Sequence, residues 1–343
     1  MALDIYGTAT LAGVITTIKP SAPGFWLNFF TTEYLFDTEE IDFDEVLVDR
    51  RIAPLVLPTV AGKPQRERGF TTKKYKPAYL KPLNTLSPSR TLSRRPGEAF
   101  GGQLSPDQRA AALLAQYLTD QRDQIERRWN KMAAEALLDG KITLAGDDYP
   151  TVTIDFGRPA AHTVVLASGS RWSDTGVDPF ATIEASAKAI SEASGYPADI
   201  VIMGTAAWAA FTANVQVQAK LDLRRGTDKL GALDFAPGSG ANVQYKGSDG
   251  SRQYWVYSEL YDIDETTTGT FMDARDMLVM SSVGVQGARC FGAILDMDAL
   301  RAVPIFPKSY TTENPSARYV MTQSAPMMVP GRTAATHRTR VVA

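Results

Sequence analysis

The most regular hydrophobic pattern in the chain runs from Ser105 to Gly140. Leu114, Leu118, Ile125, Trp129, Met132 and Ala136 recur at intervals of three, four and seven, which places them on one face of an α-helix. The start is marked by Ser105-Pro106-Asp107-Gln108: an N-cap serine, proline at the first helical position and glutamine at the third, the arrangement of a capping box. After Pro106 no proline or glycine intervenes before Gly140, which fits the position just past a helix end. The pattern predicts a helix over 105–139, about 50 Å long at a rise of 1.5 Å per residue. Its apolar repeat does not hold over enough heptads for a coiled coil, so a helix packed against a sheet is expected.

Beyond Gly140 the period changes to two. Ile142 and Leu144, then Val152, Ile154 and Phe156, alternate with polar residues and predict antiparallel strands. An alanine-rich amphipathic helix is expected near Asp178–Ser194. It is followed by a buried strand at Ile200–Met203 and a short helix from Thr205 that includes Trp208 and Phe211. Further strands are predicted at 254–257, 277–280, 291–295 and 318–322, and a strand-like segment at 326–329. The stretch from about 178 to 300 reads as an α+β unit of its own. Residues after Gly331 read as a polar, basic tail that is mobile.

The first hundred residues carry a different pattern. They are rich in proline, from Pro20 to Pro96, with short apolar pieces such as Phe25-Trp26-Leu27-Asn28-Phe29-Phe30. Proline fixes φ and removes a donor, so extended arms and hairpins are predicted here. A segment this long with little core of its own makes sense if it lies on a neighbouring subunit. Charge is segregated within it. Asp37, Glu39, Glu40, Asp42, Asp44 and Glu45 form an acidic block, and Arg66, Arg68, Lys73, Lys74, Lys76, Lys81, Arg94 and Arg95 follow as a basic stretch. Two readings stand: solvated faces of one surface, or complementary patches that meet between subunits and fix their register.

Composition narrows the function. A net charge of −2 gives no global attraction to nucleic acid or anionic membrane, and 44% hydrophobic content is ordinary for a folded protein. No apolar run approaches the roughly 18 residues of a membrane span, and no secretory segment is expected. One cysteine, Cys290, excludes an internal disulfide and suits reducing cytoplasm. With it and two histidines, His162 and His337, neither a closed zinc site nor a Cys–His nucleophile has support. No nucleophile elbow and no phosphate-binding loop occurs. Asp262, Asp264 and Glu265 could hold calcium only without the glycine and distal glutamate of an EF-hand loop, so a solvated turn is the better reading. No catalytic, metal or cofactor-binding residues are predicted.

Seven segments, in order, resemble the lambda-type phage major capsid protein family, major capsid protein E. They are Trp26-Leu27-Asn28-Phe29-Phe30; Lys76-Pro77-Ala78-Tyr79-Leu80-Lys81-Pro82; Thr91-Leu92-Ser93-Arg94-Arg95-Pro96-Gly97-Glu98; and Ile154-Asp155-Phe156-Gly157-Arg158. Leu221-Asp222-Leu223-Arg224-Arg225-Gly226, Thr311-Thr312-Glu313-Asn314-Pro315-Ser316-Ala317-Arg318 and Gln323-Ser324-Ala325-Pro326-Met327-Met328 complete the set. Each alone is weak; their shared order across nearly the whole chain is strong.

The resemblance implies an α+β fold of the Hong Kong 97 capsid type. It implies an N-terminal arm over 1–55, an E-loop hairpin over 56–100 and a peripheral domain over 101–167 with its spine helix at 105–139. An axial domain over 168–300 would follow, then a return to the peripheral domain and a basic tail over 301–343. The implied function is the major capsid protein of a tailed double-stranded DNA phage, assembled in the host cytoplasm and found in the virion. The implied partners are further copies of the chain in pentamers and hexamers, a decoration protein, scaffold and portal, and enclosed DNA. No membrane is implied. Some relatives of this fold crosslink side chains, but no motif here supports that. The acidic and basic residues above, with Arg224 and Arg225, are the candidates for contact between subunits, and Arg332, Arg338 and Arg340 for a DNA-facing tail. The alternatives are an encapsulin-like cellular shell and an α+β enzyme.

Overall fold

The computed structural model of the chain describes residues 6–17, 24–46, 52–53, 55, 59, 70–93, 104–146, 149–224, 242–263 and 266–343. A helix, α1 (Thr8–Thr17), stands where an extended arm is expected. Its Leu11 and Ile15, one turn apart, bury against Leu114, Leu118 and Val320. The apolar run that follows folds as a 3-10 turn, Phe25–Phe29, leading into β1 (Phe30–Leu35). Trp26 and Phe30 are wholly buried in the main core. The opening third therefore holds more of its own subunit's core than its prolines suggest. Gly24 makes this close docking possible, since a Cβ there would sit 2.1 Å from the Asn130 side chain. Asn130 in turn accepts the Trp26 backbone N–H at 3.1 Å.

Next come β2 (Ile41–Val46), β3 (Phe70–Tyr75), β4 (Leu83–Leu86) and the short α2 (Pro88–Leu92). The long helix is α3 (Pro106–Leu138), 33 residues, with both bonds of the capping box present. The Gln108 N–H donates to Ser105 Oγ at 3.2 Å, and the Ser105 N–H to Gln108 Oε1 at 2.9 Å. All six residues of the predicted stripe are buried. The helix ends at Asp139 because Gly140 turns left-handed, with φ +67°.

β5 (Lys141–Gly146) and β6 (Tyr149–Asp155) form the expected antiparallel pair, Ile142 opposite Ile154. β7 (Thr163–Val165) leads to α4 (Pro179–Ser194), capped by Asp178 and stopped at Gly195. β8 (Ile200–Met203), α5 (Thr205–Ala213), α6 (Val215–Arg224), β9 (Val243–Ser248) and β10 (Gln253–Tyr257) follow. A small hairpin pairs β11 (Leu260–Asp262) with β12 (Thr268–Thr270). The remaining elements are β13 (Asp276–Met280), α7 (Ser282–Val285), β14 (Gly287–Phe291), β15 (Phe306–Thr312), β16 (Ala317–Gln323), β17 (Pro326–Val329) and β18 (Thr336–Arg340).

Two further expectations need correction. The strand expected at 291–295 lies earlier, ending at Phe291, and Ile294 instead anchors a small core with Phe306 and Ala325. The tail after Gly331 is not a mobile end. β18 lies between β7 and β13 in a six-stranded sheet ordered β7-β18-β13-β8-β10-β9. That sheet separates two cores. Val201, Met203, Met277 and Val279 face the core that α4 and α5 close, whereas Ile200, Ile202, Leu278 and Met280 face the core of α3 and the 3-10 turn. Burial on both faces explains why β8 reads as an unbroken apolar run.

Candidate assembly interface and charged joint

Strand pairing brings the acidic and basic blocks together within one chain. In the antiparallel β2–β3 hairpin Asp42 stands opposite Lys74, Phe43 opposite Lys73, Asp44 opposite Thr72 and Glu45 opposite Thr71. At its base Lys76 forms an ion pair with Glu39 at 3.3 Å, both side chains more than half exposed. Glu40 is exposed. Asp37 is used differently: its Oδ1 accepts the Ala302 N–H at 2.8 Å, fixing the strand exit to a distant loop. Lys81 sits over the Tyr79 ring at 4.7 Å. Arg66, Arg68, Arg94, Arg95 and Arg225 lie outside the described residues, and Arg224 closes α6. Among the described residues this hairpin joins no other sheet.

A second concentration of charge was not visible in the sequence. Asp276, 1% exposed, opens β13 and sits between two arginines of β18. Arg338 Nε donates to its Oδ2 at 2.8 Å, and Arg340 Nε to its Oδ1 at 2.8 Å. Arg340 also reaches Asp273 at 2.9 Å, and Arg338 also bonds Asp139, the residue that caps the end of α3. Hydrogen bonds from the Arg275 side chain, then its backbone N–H and the nearby Arg340 charge, hold the Asp273 carboxyl well below its usual range against the opposing effect of burial. Arg338 and Arg340 are thus bound to carboxylates of their own chain. Arg332 packs over Tyr196 at 5.1 Å and donates to the Ser194 carbonyl at 3.4 Å. What sequence reading missed is Asp276, and its only signal is an acidic residue at the edge of an apolar strand.

Among the described residues nothing assembles a nucleophile. Cys290 is buried in β14, and burial pushes its thiol up to about 12, where the thiolate is absent at neutral pH. Of the acidic turn only Asp262 is described, and no group of three metal-binding side chains occurs among the described residues. None of the described helices is long and apolar enough to cross a membrane.

A crystal structure assigned to the capsid protein of an Escherichia coli CFT073 prophage aligns with a TM-score of 0.74 and 22% identity, covering 98% of this chain and 99% of that one. The capsid of cyanophage P-SCSP1u aligns with a TM-score of 0.51 and 9% identity over 94% of this chain and 89% of that one. The fold is the Hong Kong 97 capsid type. The family model for phage major capsid protein E matches residues 7–341, and the chain belongs to that family. Among its relatives are the major capsid proteins of Escherichia phage N15, 32% identical, and Escherichia phage lambda, 31% identical. Each comparison spans 336 residues, 95% of this chain and 96% of the relative. The chain is therefore a structural protein, a major capsid protein of a tailed phage that self-assembles into the head shell of the virion. The encapsulin-like reading is weaker, and the family is not one of enzymes.

Proposed function

We propose that the β2–β3 hairpin is the element by which one subunit of the shell grips the next. The carrying observation is its isolation: two charged strands pair with each other and with no further strand among the described residues. A two-stranded hairpin is marginal in water by itself and gains from a covering surface. Since the acidic strand already pairs with the basic one within a single hairpin, the docking unit is the whole hairpin, with a neighbour reading both signs. This revises the simpler picture of an acidic arm on one subunit meeting a basic loop on another.

In this reading residues 1–55 act as an arm, 56–100 as the extended loop, 101–167 as the peripheral domain and 168–300 as the axial domain around the capsomer axes. Residues 301–343 return to the peripheral sheet through β15 and β16 and end in the axial sheet through β18. Individual contacts need not be tight, because closure of a shell makes later contacts effectively intramolecular. A decoration protein at the exposed arm and loop, a scaffold and portal during assembly in the host cytoplasm, and enclosed double-stranded DNA complete the reading. Replacing Arg66, Arg68, Lys73 and Lys74 with glutamate tests it. Electron microscopy should then show no shells while circular dichroism shows a folded subunit, and normal shells from this variant would refute the proposal.

A further inference from the structure

The chain's two histidines, His162 and His337, are far apart in sequence and packed together in space. Their rings lie 5.3 Å apart, and both are almost wholly buried. His162 closes the 3-10 turn Ala160–His162 that leads into β7, and His337 is the second residue of β18. His162 Nδ1 lies 3.0 Å from the Thr336 carbonyl. A carbonyl only accepts, so this nitrogen carries the proton and its Nε2 is the acceptor of a neutral ring. His337 Nδ1 lies 3.2 Å from the Thr339 hydroxyl.

The surroundings favour neutral rings. The charge acting on both is the Arg158 guanidinium, itself 2.6 Å from Thr163 Oγ1, and each further proton would be felt by the other ring. From β13 the residue opposite His337 is Val279, while Asp276 is engaged by Arg338 and Arg340. From α3 the nearby carboxylate is Asp139, bound to Arg338. The buried face of α4 is Pro179, Ile183, Ser186, Ala187, Ile190 and Ser194, and β7 is Thr163–Val165; neither offers a titratable group. Nor does the turn Thr333–Ala335. No carboxylate among the described residues is bonded to either ring.

We propose that this histidine pair is an acid-release latch: protonation parts β18 from β7 and its leading turn, loosening the Arg338 tie between the sheet and the end of α3. Burial, then the other ring, then Arg158 push His337 down to about 4, with the Ala161 carbonyl opposing. His162 is lowered by burial first and by Arg158, with the Thr336 carbonyl opposing. A base held below its ordinary value is neutral in the fold and takes up protons more readily once released. The stability it lends is therefore complete above the ordinary 6.5 and is lost as pH falls from there toward the folded value of about 4. In a shell subunit the consequence is a change of freedom between long helix and sheet in mild acid, with the two cores still closed.

Hydrogen exchange on the full-length chain tests this. After correction for intrinsic rates, amides of β7 and β18 should exchange at least about tenfold faster at about pH 5 than at about pH 7.5, while those of β8 and β10 should not. The variant His162→Gln with His337→Gln should show no such response. Protection independent of pH in the unaltered chain, or the same acid response in the variant, overturns the proposal. Should the variant fail to fold, an NMR titration of the unaltered chain decides. At least one ring titrating below about 5.5 supports the latch, and both at or above that value overturn it.

Discussion

The Lys76–Glu39 pair at the base of the β2–β3 hairpin and the Asp276 joint are both built from opposite charges, and they differ because the first is open to water whereas the carboxylate at the centre of the second is not. In that pair Lys76 and Glu39 are each more than half exposed. Water and salt screen such a pair, so its worth to the subunit is about 0–1 kcal/mol. Asp276 is 1% exposed and uses both oxygens on two guanidinium groups that also hold Asp273 and Asp139. A carboxylate that has lost its water cannot lose its partners cheaply. Charges of the first kind add little to the subunit's own stability. Charges of the second kind are committed to the fold.

The sharpest way to break this contrast is Asp276→Ala, which leaves Arg338 and Arg340 without their buried counter-charge. It should lower the unfolding free energy by about 3–5 kcal/mol in a denaturant titration; a loss below about 1 kcal/mol would put the joint in the same class as the hairpin. Acid should separate the joint from the histidine pair. Because the Asp273 carboxyl is held below its ordinary 3.8, its contribution is complete above that value and fades only as pH falls beneath it. The histidine pair should therefore give way first, and a fluorescence-monitored acid titration should show a local transition well before the global one. Lys76→Ala is the smallest test. It should shift stability by less than about 0.5 kcal/mol, and a larger loss would mean the hairpin's charges also hold up the subunit.

How much of this could be read from the chain follows from what supports each element. The helix α3 was legible because both its ends and its buried stripe are local signals: Ser105, Gln108 and Gly140 mark it within one turn. β8 and β13 were legible because burial on both faces leaves an apolar run. α1 was hidden, since Gly13 and its threonines are poor helix formers and the helix rests on Leu114, Leu118 and Val320. β18 was misread as a tail because it contains no apolar residue at all: Thr336, His337 and Thr339 are buried beside ion-paired arginines. The charge blocks gave sign but not partner, and only the register shows that Asp42 faces Lys74. The assembly role came from the family resemblance, not from any side-chain constellation.

The position of β18 also has a consequence in time. Protein synthesis delivers strands in sequence order, yet β18 enters the sheet between β7 and β13, both of which precede it. Among the described residues β7 pairs with nothing else. A growing chain therefore carries β7 unpaired, and Asp276 without Arg338 and Arg340, until β18 has been made. Contacts this distant in sequence also form slowly. A product broken off before Thr336 lacks both that strand and the cations for the buried Asp276. Such a fragment leaves the edge of β7 open and a buried carboxylate without its counter-charge.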